Sequence, residues 1–201
     1  MRFTLERMSD PEIEVVTLAE MRQHLGEFSG NTAKDDAITA LIVTAREEVE
    51  AYTGCALVDQ SRRLSIIPGE NDTGTMAYLM LRCSPVLAIT SFVTVDASGD
   101  ETAVDAATYE LREAATKWPR IAMLDGTSLS AATQYRVTFR AGYADQTGSP
   151  QTGAEVVPDR FKIAIKLWAE ALYDRDPATM DTLIKAAKNL LRHARVDVGF
   201  A

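Results

Sequence analysis

Apolar residues recur at helical spacing soon after residues 1–16, which are polar and aperiodic. Thr17 is suited to cap a helix, and Glu20 stands where the second half of a capping box belongs. The short apolar stripe that follows consists of Leu18, Met21 and Leu25. Gly26 supplies a stop, so the pattern predicts a short helix.

A second helix is predicted after Asn31 and Thr32. Asp35 and Asp36 would lie in its first turn, where carboxylates interact favourably with the helix dipole. Its apolar residues form one stripe about 100° wide at 3.6 residues per turn. The stripe consists of Ile38, Leu41, Ile42, Ala45, Val49 and Tyr52. Gly54 ends the pattern.

The apolar period changes to two between Asp59 and Gly142, where turn-forming residues separate runs of β-branched and aromatic residues. The predicted strands span 62–67, 77–81, 87–95, 102–104, 109–111, 120–124 and 135–139. Residues 96–99 predict a hairpin turn between two of them. We therefore expect a compact antiparallel sheet inserted between helices.

The third predicted helix begins near Pro158, a residue that suits a first helical turn, and runs to about residue 173. One apolar face consists of Phe161, Ile165, Trp168 and Leu172. Ile163 and Leu167 lie on the far side. Such a helix is buried on two sides, either within the fold or against a neighbouring subunit.

A fourth helix is predicted at about 179–195, with an apolar seam and a basic back. The seam consists of Met180, Leu183, Ile184, Ala187, Leu190, Leu191 and Ala194, and the basic stripe of Lys185, Lys188, Arg192 and Arg195. The last residues, 196–201, include Val198 and Phe200 without an obvious cover, and free ends that carry such residues often dock on a partner.

These elements predict an α+β fold in which a helical core of about four helices, from residues 17–57 and 158–195, holds an inserted antiparallel β-domain at 58–143. An N-terminal arm (1–16), a loop (144–157) and a C-terminal tail (196–201) complete the chain.

Composition places the chain among ordinary globular proteins, since its 201 residues are 46% hydrophobic and 25% charged. No apolar run approaches the roughly 18 residues of a membrane helix, and the N-terminus has no apolar signal core. We expect a soluble protein that is not exported by the general secretory route. Cys55 and Cys83 form no C-x-x-C pair and are expected to be buried free thiols in a reducing compartment.

The net charge of −8 argues against a nonspecific grip on nucleic acid, because that affinity comes from neutralising phosphates with Lys and Arg. The charge is also uneven: residues 1–57 carry −6, whereas residues 158–201 carry +2. Opposite charge on different parts of one chain can steer head-to-tail self-assembly or docking on an acidic partner.

The candidate chemistry is sparse, and no catalytic residue, cofactor or metal site is predicted. His24 and His193 are the only histidines and are expected to be solvated or capping residues. Residues 69–75 resemble a phosphate loop only superficially, because the Lys that would follow Gly74 is absent. The acids around Gly99 do not match an EF-hand; they are Asp96, Asp100 and Glu101.

Two alternatives remain open at this point. A small enzyme could use the paired acids Asp35 with Asp36 and Glu47 with Glu48, although their position opposite an apolar stripe favours a solvated face. A DNA-packaging or other nucleic-acid-binding factor could use the basic stripe of the fourth helix. That stripe could equally be a solvated face or a protein-docking surface.

The order of motifs resembles the head-tail connector (adaptor) family of tailed phages, which includes related prophage and gene transfer agent adaptors. Residues 17–25 resemble its opening T-L-x-E-x-K-x-H-L, and residues 45–54 its A-R-x-x-V-E-x-Y-T-G. Further matches are Ser84-Pro85-Val86, the 96–99 turn, Tyr109-Glu110-Leu111, Trp118-Pro119, residues 137–143 and the Pro158 helix ending in Leu172-Tyr173. The resemblance covers roughly residues 17–195; the polar arm and the 144–157 loop depart from it.

The resemblance implies a structural protein rather than an enzyme, assembled as a homo-oligomeric ring, typically a dodecamer. It implies that the assembled subunit lies in the virion, at the head-tail junction, and that the free subunit is in the host cytoplasm before assembly. It implies no membrane contact. The ring would lie between the portal protein and a tail-side stopper or tail terminator protein. DNA would pass through the channel without specific binding, and an acidic channel wall would repel it.

Residue assignments follow from this reading together with the helix patterns. Portal docking through the C-terminal segment is expected from Lys185, Lys188, Leu191, Arg192, Arg195 and Phe200. Core and subunit contacts are expected from Phe161, Ile163, Leu167 and Trp168.

Overall fold

The structure is a computed structural model, and it describes residues 2–27, 32–68, 78–124, 132–143, 157–174 and 176–196. In chain order its elements are β1 (Arg2–Arg7), α1 (Leu18–Leu25), α2 (Asp35–Thr53), β2 (Gln60–Ile67), β3 (Tyr78–Met80), β4 (Val86–Val95), β5 (Glu101–Ala103), β6 (Tyr109–Arg112), β7 (Arg120–Met123), β8 (Gln134–Ala141), α3 (Asp159–Asp174) and α4 (Pro177–Leu191). Short 3₁₀ turns occupy Ala106–Thr108 and Arg192–Ala194. The predicted α+β class is confirmed.

The local signals in the helices are confirmed by their hydrogen bonds. The Glu20 backbone N–H donates to Thr17 Oγ1 at 3.2 Å, and the Thr17 N–H donates to Glu20 Oε2 at 2.8 Å, which completes the predicted capping box. Gly26 and Gly54 end α1 and α2 in the left-handed conformation, with φ of 69° and 71°. Periodicity and capping residues therefore place both helices correctly.

Within the described ranges the strands form two antiparallel sheets, where the sequence predicted one. Five strands pair in the order β1-β2-β8-β4-β5, and three pair in the order β3-β7-β6. Each of the seven predicted strands has a counterpart within a few residues. Periodicity identified the strands but not their partners, because pairing joins segments that are far apart in sequence.

Strand β1 lies within the segment expected to be an arm. It runs antiparallel to β2, with Phe3 opposite Ile66 and Leu5 opposite Leu64. All of its residues except Leu5 are exposed, so the alternation that marks a strand with one buried face is absent. Strand β1 is therefore identified only by its pairing with β2.

Two hydrophobic clusters make up the interior formed by the described residues. One joins the four helices and includes Met21, Ile42, Phe161 and Leu191, each at most 2% exposed. The other lies between the two sheets and includes Leu64, Ile121 and Phe139. The division of the chain into a helical core and an inserted β-domain stays a prediction from the sequence.

The segment that ends at Val196 returns to the end of α2. The Val196 N–H donates to the Thr53 carbonyl at 2.7 Å, and Val196 is 5% exposed. A Cβ added at Gly54 would lie 3.1 Å from the Val196 Cβ, so this close approach also favours glycine. Val198 and Phe200 lie outside the described residues.

Candidate assembly surface

A buried ionic cluster ties the N-terminal segment and β2 to α2. Arg46, 2% exposed, donates from Nε to Glu14 at 2.9 Å and from Nη1 to Glu50 at 3.2 Å. Glu50 also accepts from the Leu57 backbone N–H at 2.8 Å and from Gln60 Nε2 at 2.9 Å. Burial raises the pKa of Glu14, and the Arg46 guanidinium opposes that effect. These contacts hold the N-terminal segment, α2 and β2 together.

Sequence reasoning did not identify this cluster. Arg46 and Glu50 are four residues apart on a helix, a spacing at which opposite charges meet, and that was the available signal. Their burial depends on β2 and on Glu14, which come from other parts of the chain.

The acidic pairs considered for an enzyme do not form a catalytic arrangement. Asp36 and Glu48 are exposed, and Asp35 is paired with Arg22. Glu47 lines a cavity of about 390 Å³ between β1 and α2, but Arg7 Nη2 donates to it at 2.6 Å and lowers its pKa. A carboxyl held ionised in this way is poorly suited to act as a general acid.

The remaining candidate sites have ordinary structural roles or lie outside the described residues. Asp96 Oδ1 accepts from the backbone N–H groups of Ser98 at 2.8 Å and Asp100 at 3.0 Å, which closes its own turn. His24 Nε2 lies 2.8 Å from Glu170. Across the part of the chain that the structure describes, no cluster of three His, Cys, Asp or Glu residues could hold a metal ion. The 69–75 segment is not described.

The two cysteines are free and buried, as predicted. Burial raises the pKa of the Cys55 thiol to about 11 and that of Cys83 to about 12. Both therefore act as apolar core residues rather than as nucleophiles at neutral pH. No helix among the described ranges has the length and apolar character required to span a membrane.

The residues predicted to make core and subunit contacts are divided by the structure. Phe161 and Trp168 are 1% and 5% exposed, and they pack inside the helical cluster of their own chain. Leu167 is half-buried at the edge of that cluster. Ile163 is 49% exposed and lies on the outer face of α3. Ile163 is thus the member of this set whose side chain is open to a neighbour.

The residues predicted for portal docking are divided in the same way. Leu191 is fully buried in the helical cluster, and Phe200 lies outside the described residues. The four basic side chains are exposed: Lys185, Lys188, Arg192 and Arg195. We call these four residues the basic helix surface. Lys185 is paired with Asp181 one turn earlier in α4.

Aromatic rings of α2 and α3 underlie the basic helix surface. Lys188 Nζ lies 5.7 Å from the Tyr52 ring centroid and 5.5 Å from that of Trp168. The Arg195 guanidinium lies 5.0 Å from the Tyr52 centroid. Cations over aromatic faces are held in place without a carboxylate partner. This surface thus presents positive charge in a defined position on an acidic protein.

No protein-family model and no curated protein sequence matches this chain. In fold it is similar to a chain from the neck of an empty gene transfer agent particle computed with C6 symmetry, with 25% identity, a TM-score of 0.70 and 98% of both chains covered. It is similar to a chain from the virion of a native gene transfer agent particle, with 25% identity, a TM-score of 0.69, and 98% of this chain and 97% of that chain covered. A chain from the neck of a native particle computed with C12 symmetry shares the fold at 23% identity, with a TM-score of 0.68 and 98% of each chain covered.

Proposed function

We propose that this chain is a structural subunit of the neck of a phage or phage-like particle. In this role it is a head-tail connector (adaptor) that forms a ring between the portal and the tail. The observation that carries the proposal is the similarity in fold, over 98% of both chains at 25% identity, to a chain from a gene transfer agent neck. The order of motifs along the sequence supports the same role.

A ring requires two different surfaces on each copy that fit one another, since head-to-tail contacts close into rings. The symmetry of the similar neck structures, C6 and C12, supports such an assembly here. On α3 the exposed Ile163 suits a contact with the next copy. Phe161 and Trp168 support that contact indirectly, because they hold α3 against the helical cluster.

Docking on the portal is assigned to the basic helix surface. Its cations lie within residues 158–201, which carry a net charge of +2. The rest of the protein carries excess negative charge. An acidic surface on the portal would therefore be attracted to this end and repelled elsewhere. Leu191 contributes by packing α4 into the core rather than by touching the portal.

Reversing two charges on this surface should weaken portal binding. We expect Lys188→Glu with Arg192→Glu to raise the Kd for purified portal rings by about tenfold or more, because attraction becomes repulsion. The matched control is Lys162→Glu with Arg112→Glu, which changes the net charge equally elsewhere and should bind like the wild type. Portal binding of the first variant at wild-type affinity would exclude this docking surface.

Point variants test this surface better than a truncation after Thr179. The truncation would also remove Ala187 and Leu191, which are buried in the helical cluster.

The role itself is tested by cryo-electron microscopy of particles from the source organism. A ring of this fold between capsid and tail, with residues 179–196 against the portal, is the expected result. Absence of the chain from finished particles would overturn the proposal. Salt-sensitive DNA binding by the isolated protein would then favour a packaging factor.

A further inference from the structure

A cationic cleft of about 350 Å³ lies where the loop after β6 meets the start of α3 and the 3₁₀ turn after α4. Its polar and aromatic lining includes Lys117, Trp118, Tyr143, Arg160 and His193. Among the described lining residues none is acidic. The cleft therefore presents a positive, aromatic-edged cavity on a chain whose net charge is −8.

The two charged side chains of the cleft are exposed and have no ion-pair partner among the described residues. Several other basic side chains of the β-domain are paired, for example Arg120 with Glu113 at 2.9 Å and Arg140 with Asp59. Trp118 at the rim is 44% exposed. Lys117, Arg160 and Trp118 thus offer charge and apolar area that the described residues leave uncovered.

The loop that carries Lys117 and Trp118 is held in a fixed shape. Ser84 Oγ donates to the Thr116 carbonyl at 2.7 Å, and the Trp118 N–H donates to Thr116 Oγ1 at 3.1 Å. The Thr116 N–H donates in turn to the Glu113 carbonyl at 2.9 Å. A site whose backbone is already ordered loses less conformational entropy when a partner binds.

A complementary feature lies at the turn between β4 and β5, which we call the acidic tip (residues 96–101). It carries Asp96, Asp100 and Glu101, and every residue from 96 to 103 is exposed. The hydrogen bonds that Asp96 accepts order the turn and lower the pKa of Asp96. The Asp100 carboxylate has no ion-pair partner within the described ranges, whereas Glu101 is paired with Arg136.

The cleft and the acidic tip lie at opposite ends of one strand. The Val86 N–H, at the start of β4, donates to the Ala114 carbonyl beside the cleft at 2.8 Å. The acidic tip begins directly after Val95, at the other end of this ten-residue strand. At about 3.3 Å per residue the two features are roughly 30 Å apart, so a chain cannot place its own tip in its own cleft.

We propose that the cleft of each copy receives the acidic tip of the neighbouring copy. This inference rests on the proposed ring, for which it supplies the head-to-tail contact, because the two surfaces are different and lie at opposite ends of the subunit. Lys117 and Arg160 attract the Asp100 carboxylate, and the Trp118 ring packs against the backbone of the turn. A cavity of about 350 Å³ is near the lower limit for binding pockets and suits a turn rather than a helix.

The test uses two full-length variants with opposite charge changes. The cleft variant carries Lys117→Glu and Arg160→Glu, and the tip variant carries Ala97→Lys and Asp100→Lys. Each is produced in particles in place of the wild-type chain, and its amount in purified particles is measured by quantitative mass spectrometry. We expect each variant alone to fall at least about tenfold below wild type, because every tip then meets a cleft of like charge.

Co-expression of the two variants should restore incorporation. The unchanged tip of the cleft variant fits the unchanged cleft of the tip variant, and the two reversed surfaces also attract each other. Alternating copies can close a ring of even number. The matched control, Arg112→Glu with Lys162→Glu, should incorporate like wild type. Recovery in the mixture shows that both variants fold, because a misfolded chain would not be rescued.

The outcomes separate this inference from the proposed function. Wild-type incorporation of either single variant, or no recovery in the mixture, overturns the tip-in-cleft contact while the connector role stands. If the wild-type chain itself is absent from particles, the proposed function fails, and the inference that rests on it fails too. Loss in each variant with recovery in the mixture supports both.

Discussion

Gly142→Ala should leave the protein unfolded or destabilised by more than about 4 kcal/mol, the range reserved for severe steric or core defects. A Cβ at this position would lie 2.4 Å from the Asp59 nitrogen and 2.5 Å from the Val58 carbonyl carbon. Both are backbone atoms, so neither can move aside as a flexible side chain would. Gly142 also has φ of 155°, a conformation that residues with a side chain rarely adopt.

The position of Gly142 explains the size of the effect. It follows β8 directly, and its N–H donates to the Pro85 carbonyl at 3.0 Å, next to the start of β4. The chain passes here from the central strands of the five-stranded sheet towards the helical cluster, so a shift would disturb both.

Urea denaturation followed by circular dichroism measures this effect. The control is Gly26→Ala, at φ of 69° with no atom within 4 Å of the added Cβ. The control should cost only about 1–2 kcal/mol, the strain of the left-handed conformation. Equal unfolding midpoints for the two variants would contradict the close approach at Gly142.

Glu50→Ala should be the second most damaging substitution, with a loss of about 3–5 kcal/mol in the free energy of unfolding, because it removes one of the two carboxylates paired with the buried Arg46 and an acceptor of buried backbone and side-chain donors. The Glu50 side chain is 4% exposed and lies beside the Arg46 guanidinium. Its removal also leaves the Leu57 N–H without its acceptor, and it leaves the Gln60 amide with the Val58 carbonyl at 3.2 Å in place of two acceptors. Buried donors without an acceptor add to the cost.

The control for Glu50 lies two residues away on the same helix. Glu48 is exposed, and Glu48→Ala should change the free energy of unfolding by no more than about 0.5 kcal/mol. Urea titrations of both variants at one pH give the comparison. A Glu50→Ala protein as stable as Glu48→Ala would mean that the ionic cluster adds no net stability.

Both substitutions should also impair the proposed assembly, although neither residue lies in a proposed contact surface. Glu50 joins α2 to the start of β2, and Gly142 lies where β8 leads back towards the helices, so together they fix the sheet relative to the helical cluster. In the proposed ring the basic helix surface and the acidic tip lie on different parts of the subunit. A subunit that loses this rigid link would present the two surfaces in variable geometry and assemble poorly.

Local signals were sufficient for most elements. The capping box at Thr17, the left-handed stop at Gly54 and the turn at 96–99 each depend on residues a few positions apart. The helix stripes and the seven strands depend on periods of 3.6 and 2, which a single segment displays by itself. For these features sequence and structure agree because the same local interactions determine both.

The sequence predicted less accurately which apolar side chains are buried in the chain's own core and which are exposed to a partner. Leu191 was expected at the portal, and its complete burial reflects packing within the hydrophobic cluster that joins the helices. Phe161 and Trp168 lie on the face of α3 that turned out to be internal, while Ile163 on the other face is open. An apolar stripe indicates that something covers a helix, but not whether the cover is the same chain or a partner.

By itself, then, the sequence determined the α+β class, the helices with their caps, the strands, the uneven charge and the order of motifs. The tertiary structure alone decided that β1 pairs with β2, that the strands divide into two sheets, and that Arg46 and Glu50 are buried together. It also brought Lys117, Arg160 and Trp118 to one cleft at the opposite end of β4 from the acidic tip. These features depend on contacts between segments far apart in the chain, and such contacts leave no period or spacing in the sequence.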